Sequence, residues 1–184
     1  QARPLLRLAM VLALLNLAVV PAFTVGVPLL IVRYYAFSDT ALAVTQSAMS
    51  AGGLLGGVLA GAFAKRLFLR RGTAALWCIT AVCALLGLAV LPCVPAAAGY
   101  IAVTSLAFCM MAAAALFQIL LFTAIQAHAP TGQTGRFMSL ITVCACLTQP
   151  VGQAALGLLY GRFAALPSAV LFTAAAASVF INLA

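Results

Sequence analysis

The side chains of this chain that could do chemistry are few and almost all uncharged. Among 184 residues there are nine Lys and Arg, a single acid (Asp39) and a single histidine (His128), while 67% of positions are hydrophobic. Nucleophilic catalysis needs a base within hydrogen-bond reach of the nucleophile. Ser47 and Ser50 precede Gly52 and Gly53 in a setting that superficially suits a nucleophile, but only His128 is there to serve them. The helix assignment below puts that histidine in a loop at the other side of the membrane, which argues against an intramembrane serine protease. Cys78, Cys83, Cys93, Cys109, Cys144 and Cys146 form no C-x-x-C pair and lie mostly inside apolar runs. There Cys behaves as a small apolar residue, so neither a metal nor a redox cofactor is expected. What remains is binding chemistry: amides, hydroxyls, aromatic rings and thioethers.

Those groups fall on helical faces. Thr104, Phe108, Met111, Ala115, Gln118, Phe122 and Gln126 recur at about 3.6 residues and share one face of the fourth apolar run. Ser139, Thr142, Cys146, Gln149, Gln153 and Tyr160 make a longer line on the fifth. On the first, Asn16 and Phe23 are seven apart, with Thr24 adjacent. Lipid penalises exposed polar groups, so these faces are expected to look inward. They would enclose a weakly polar, uncharged space suited to bulky amphipathic molecules. The pathway candidates are Asn16, Phe23, Thr24, Phe108, Met111, Gln118, Phe122, Gln126, Gln149 and Gln153, with Asn16 and Gln118 foremost. Hydrogen bonding between helices is the competing explanation for Gln118 and Gln126. No titratable group is expected at mid-membrane depth, so proton coupling would need an acid from outside this segment.

These faces require helices that cross a bilayer. Only 5% of residues are charged, too few to solvate a water-soluble surface. A span takes roughly 20 apolar residues. The runs assigned are Leu5–Val32, Ala41–Ala64, Thr73–Leu91, Ala96–Gln126, Phe137–Tyr160 and Pro167–Ala184. Arg3, Arg7, Lys65, Arg66, Arg70, Arg71 and Arg136 then fall on one side, and Arg33 and Arg162 on the other. By the positive-inside rule both termini are cytoplasmic, in an inner or plasma membrane. The net charge of +8 is thereby explained by topology, and a nucleic-acid partner is not expected. The expected partner is the lipid bilayer. Because the chain begins at Gln1 and its last run stops at Ala184 without a polar tail, it is expected to be a fragment or processed domain.

Glycines and prolines add a plan. Gly52, Gly57 and Gly61 of the second run match Gly152, Gly157 and Gly161 of the fifth, 100 residues on. The fold expected is an all-α membrane bundle over 1–184. It would hold six transmembrane helices as two inverted three-helix repeats, 1–95 and 96–184. Inverted repeats with a site at their interface are a recurring design of secondary transporters. Gly53, Gly57 and Gly61, and likewise Gly157 and Gly161, stand four apart and are expected to form close helix contacts. Pro21, Pro28 and Pro150 each remove a backbone donor, predicting interrupted helices that face the interior.

Two stretches resemble a known family. Gly57-x-x-x-Gly61-x-x-x-Lys65-Arg66, closing with Arg70-Arg71-Gly72, is similar to the loop motif of the major facilitator superfamily. Lys65 replaces that motif's acid and Phe68 its glycine, departures common in the superfamily's C-terminal copy. Gln126, Pro130, Gly135-Arg136, Ser139, Gln149-Pro150, Gly152-Gln153 and Gly157 resemble the last helices of the drug-exporter branch that includes macrolide and siderophore efflux proteins. The resemblance implies the C-terminal six-helix half of a twelve-helix carrier. Its first and fourth helices would line the substrate path, its second and fifth complete the wall, and its third and sixth face lipid. It also implies secondary active export of a small molecule, with an N-terminal half as partner and Lys65, Arg66, Arg70 and Arg71 as the cytoplasmic loop motif. The alternative from another class is a non-catalytic membrane subunit or scaffold.

Overall fold

The computed structural model describes residues 2–63, 72–128, 132, 134–163 and 167–183, and every regular element among them is helical. Lys65, Arg66, Arg70 and Arg71 lie outside the described residues. Apolar runs have no solvent partner for their backbone inside lipid, so they satisfy it internally as helices.

Helix α1 is interrupted: it is α-helical over Ala2–Ala18, π-helical over Ala22–Gly26, α-helical over Val27–Leu29 and π-helical again over Leu30–Tyr34. Pro21 and Pro28 explain where. Each lacks the N–H that would close the preceding turn, and the chain accommodates the loss by widening to i→i+5 bonding. The amide of Tyr35, for instance, donates to the Leu30 carbonyl at 2.9 Å. A turn with Ala36 in the left-handed region (φ 53°) leads into α2, Asp39–Phe63. There Ser38 caps the first turn by accepting the Ala41 N–H. Helices α3 (Gly72–Ala89), α4 (Ala96–His128), α5 (Thr134–Arg162) and α6 (Pro167–Leu183) follow, α6 opening on a proline where its missing N–H costs nothing.

Four segments are long and apolar enough to cross a membrane: Met10–Tyr34, Asp39–Ala62, Ala96–Ala127 and Thr134–Arg162. The apolar helices Ala74–Ala89 and Pro167–Asn182 are shorter. The third and sixth expected spans are thus not established as crossings by length. At 1.5 Å per residue, α3 covers about 27 Å of a hydrocarbon layer about 30 Å thick.

The most extensive packing joins α2 to α4; α3 packs on α6 and α4, and α5 on α1. The core is drawn mainly from α1, α3, α4 and α6, through Val19, Val27, Ile31, Leu86, Val103, Ile125 and Leu171. Helices α2 and α5 lie at the rim and leave broad apolar faces uncovered, including Leu54, Val58, Leu147 and Leu158.

The glycine expectation needs correction. Gly53, Gly57, Gly61, Gly157 and Gly161 have nothing within 4 Å of where a Cβ would stand. The close contacts come from neighbouring positions. A Cβ on Gly52 would overlap the Phe108 carbonyl, one on Gly56 the Ala112 carbonyl, and one on Gly152 the Leu17 carbonyl and the Pro21 ring. Pro21 cannot donate to the Leu17 carbonyl, and Gly152 packs against that same carbonyl.

Candidate functional site

Asn16 of α1 and Gln118 of α4 line the same small cavity, about 100 Å³, at the seam between their helices. Leu15, Val19, Met110 and Phe117 form apolar wall around them, and Ile79 of α3 contributes from behind. The Asn16 amide donates to the Leu12 carbonyl of its own helix at 2.9 Å, which fixes its head. Gln118 is exposed and has no hydrogen-bond partner among the described residues. The cavity therefore presents one anchored amide and one free amide on an apolar wall. That arrangement orients an uncharged polar group and leaves hydrophobic contact to do the rest.

Two turns further along α1, exposed Thr24 donates to the Val20 carbonyl at 3.2 Å and accepts the Gln153 amide, also at 3.2 Å. This bond ties α1 to α5 on the side where Pro21 and Gly152 meet. Gln149, one turn before Gln153, is half-buried. Pro21 is buried, Pro28 half-buried and Pro150 exposed within α5.

The other candidates divide. Phe23 is 2% exposed and belongs to the core. The stripe on α4 splits along its length. Its first half packs on α2, where Thr104 and Thr45 share a hydroxyl–hydroxyl bond of 3.0 Å and Gly52 sits on Phe108. Met111 and Phe122 are half-buried, and Gln126 is exposed. On α5, Ser139, Thr142 and Cys146 are exposed, the Ser139 hydroxyl donating back to the Gly135 carbonyl. Ser50 likewise donates to the Gln46 carbonyl of its own helix. From the Gly52–Phe108 contact to His128 is about 30 Å along α4, so Ser47 and Ser50 are remote from the histidine.

Two polar clusters escaped the sequence reading. Thr80 of α3 and Ser178 of α6, both buried, bond at 2.7 Å, and the Asn182 amide donates to Thr80 at 2.8 Å. The four-residue spacing of Ser178 and Asn182 was the available signal. The second cluster is aromatic. Tyr34, Tyr35 and Tyr100 gather at one end of the bundle, donating to the carbonyls of Val90, Ala89 and Ala41 at 3.1–3.2 Å. Burial, and then the neighbouring Tyr34, raise the Tyr35 hydroxyl's pKa above its ordinary value, so it stays a neutral donor. With Phe37 stacked on Tyr35, these rings make the kind of belt that sits at a membrane–water boundary. The chain matches no family model, and comparison with curated proteins and with solved structures finds no match.

Proposed function

We propose that this chain is one half of a secondary active transporter that moves hydrophobic or amphipathic small molecules outward by alternating access. The observation that carries the reading is the convergence of Asn16 and Gln118 on one cavity between α1 and α4. In this reading α3 and α6 also cross the membrane, their ends completed by flanking residues, and both termini are cytoplasmic.

The packing supports an inverted repeat. Exchanging the first three helices with the last three maps the α2–α4 contact onto α5–α1, α3–α4 onto α6–α1, and α3–α6 onto itself, and all of these contacts occur. Gly52 and Gly152, 100 residues apart, make equivalent contacts with a backbone carbonyl. A second six-helix half, of the kind found in the major facilitator superfamily, would cover α2 and α5. The open positions at Gly53, Gly57 and Gly61 would let its helices approach closely. The Asn16–Gln118 cavity is one wall of the substrate site, and the partner half supplies the other. The interrupted helix α1 gives that wall a place to bend.

Replacing Gln118 with tryptophan tests the assignment. Export of an amphipathic dye from cells carrying the whole transporter should fall at least about tenfold, with unchanged amounts of protein in the membrane fraction. Undiminished export would remove Gln118 from the pathway. The same result with Asn16→Leu would favour a non-transporting membrane subunit.

A further inference from the structure

We infer that the tyrosine end of the bundle carries a second binding site, separate from the Asn16–Gln118 cavity, for an anionic amphiphile. A cleft of about 440 Å³ opens between the last turns of α1 and α5. Leu29, Arg33 and Tyr34 form one wall, and Gly157, Tyr160 and Gly161 the other. Its volume suits an acyl chain with a headgroup, and most of its lining is apolar.

Arg33 brings an exposed donor without a partner to the cleft, while a second donor, the Tyr160 hydroxyl, is buried against Gly26, which does not line it. Arg33 is exposed and has no hydrogen-bond or ion-pair partner among the described residues. The only acid of these 184 residues is Asp39, and no ion pair to Arg33 is found among the described residues. Tyr160 is 7% exposed, and its hydroxyl is buried with no hydrogen bond, an arrangement that native proteins seldom leave in place. Tyr34, by contrast, is spoken for: its hydroxyl donates to Val90 across the bundle and holds the ring as wall.

Depth and shape agree. Arg33 stands among the tyrosines, at the boundary where a flexible basic side chain reaches headgroup oxygens. A guanidinium binds phosphate or carboxylate with paired, charge-assisted hydrogen bonds. The groove floor at Gly157 and Gly161 is empty beyond the backbone, leaving a track for hydrocarbon beside Leu29. The ligand is therefore an acidic headgroup on Arg33 with its apolar tail laid over the two glycines. This inference does not depend on the transport reading, because it predicts binding whether or not anything is moved.

Native mass spectrometry of the full chain released from detergent, titrated with single probes, measures it directly. The probes are dioleoyl phosphatidylglycerol, dioleoyl phosphatidylcholine and oleate. Arg33→Gln removes the charge, and Gly157→Leu fills the track at a position with room for it. Arg162→Gln is the control, a second arginine near the same end that does not line the cleft. The wild type and the control should hold an anionic probe about tenfold more tightly than phosphatidylcholine. Arg33→Gln should lose that preference, and Gly157→Leu should lose binding of the anionic probes altogether. Retention of phosphatidylglycerol alone identifies a membrane lipid as the occupant, and of oleate alone a free amphiphile. Equal binding of all three probes by the wild type would overturn the inference, as would anionic binding unaffected by both variants.

Discussion

At the residue scale, neighbouring glycines have opposite roles. Gly52, Gly56 and Gly152 hold helices against bare carbonyls, whereas Gly53, Gly57 and Gly157 look into open space. Gly152→Leu should destabilise the bundle by about 2 kcal/mol, an overpacking cost, read as a lower unfolding midpoint in detergent. Gly53→Ala should leave that midpoint within about 0.5 kcal/mol, or raise it through helix propensity. Equal effects of the two would mean that α5 does not seat on Leu17. The spacing of four shows that a glycine face exists, but one residue is a 100° rotation, and the partner helix sets which face is used.

At the element scale, α1 keeps one buried face through two prolines and two π-helical turns. Asn16 and Phe23 are seven apart and would share a face on an unbroken helix. The buried positions Leu15, Val19, Phe23, Val27 and Leu30 keep a spacing of three to four through the break, so Phe23 enters the core while the adjacent Thr24 remains outside. Asn16 lies beside that face and lines the small cavity. Gln118 lines it from α4, which runs unbroken over Ala96–His128. The α3–α6 pair is held by hydroxyls and an amide, with Gly87 making room for the Phe172 ring. Thr80→Val keeps the shape and removes the hydroxyl that bridges Ser178 and Asn182. The expected loss is about 1 kcal/mol, at the scale of hydrogen bonds between membrane helices, again read from the unfolding midpoint. No change would mean that the cluster merely fills space.

At the scale of the whole molecule, orientation is open to a direct experiment. Cys93 is exposed in the connection between α3 and α4, at the tyrosine end with Arg33 and Arg162, the two cations assigned to the outer side. A membrane-impermeant maleimide applied to intact cells should label Cys93, and Cys93→Ser should abolish that labelling. Modification only after permeabilisation would reverse the proposed topology. The uncovered faces of α2 and α5 make a second claim at this scale. If a partner half covers them, Gly57→Trp should be tolerated in the isolated chain, where the position is open, and should abolish export by the assembled transporter.

The amino-acid sequence by itself determined the solvent. With so little charge, the chain could be stable only in lipid, as helices, and its apolar runs and breakers marked where helices begin and end to within a few residues. It also marked Asn16 and Gln118, because an uncharged amide in an apolar run stands out without any neighbour being known. Only the tertiary structure decided which amides meet, which glycines touch, and that Phe23 belongs to the core. Those outcomes depend on how far each helix is rotated about its axis. That rotation follows from packing between helices distant in the chain, and no single helix encodes it.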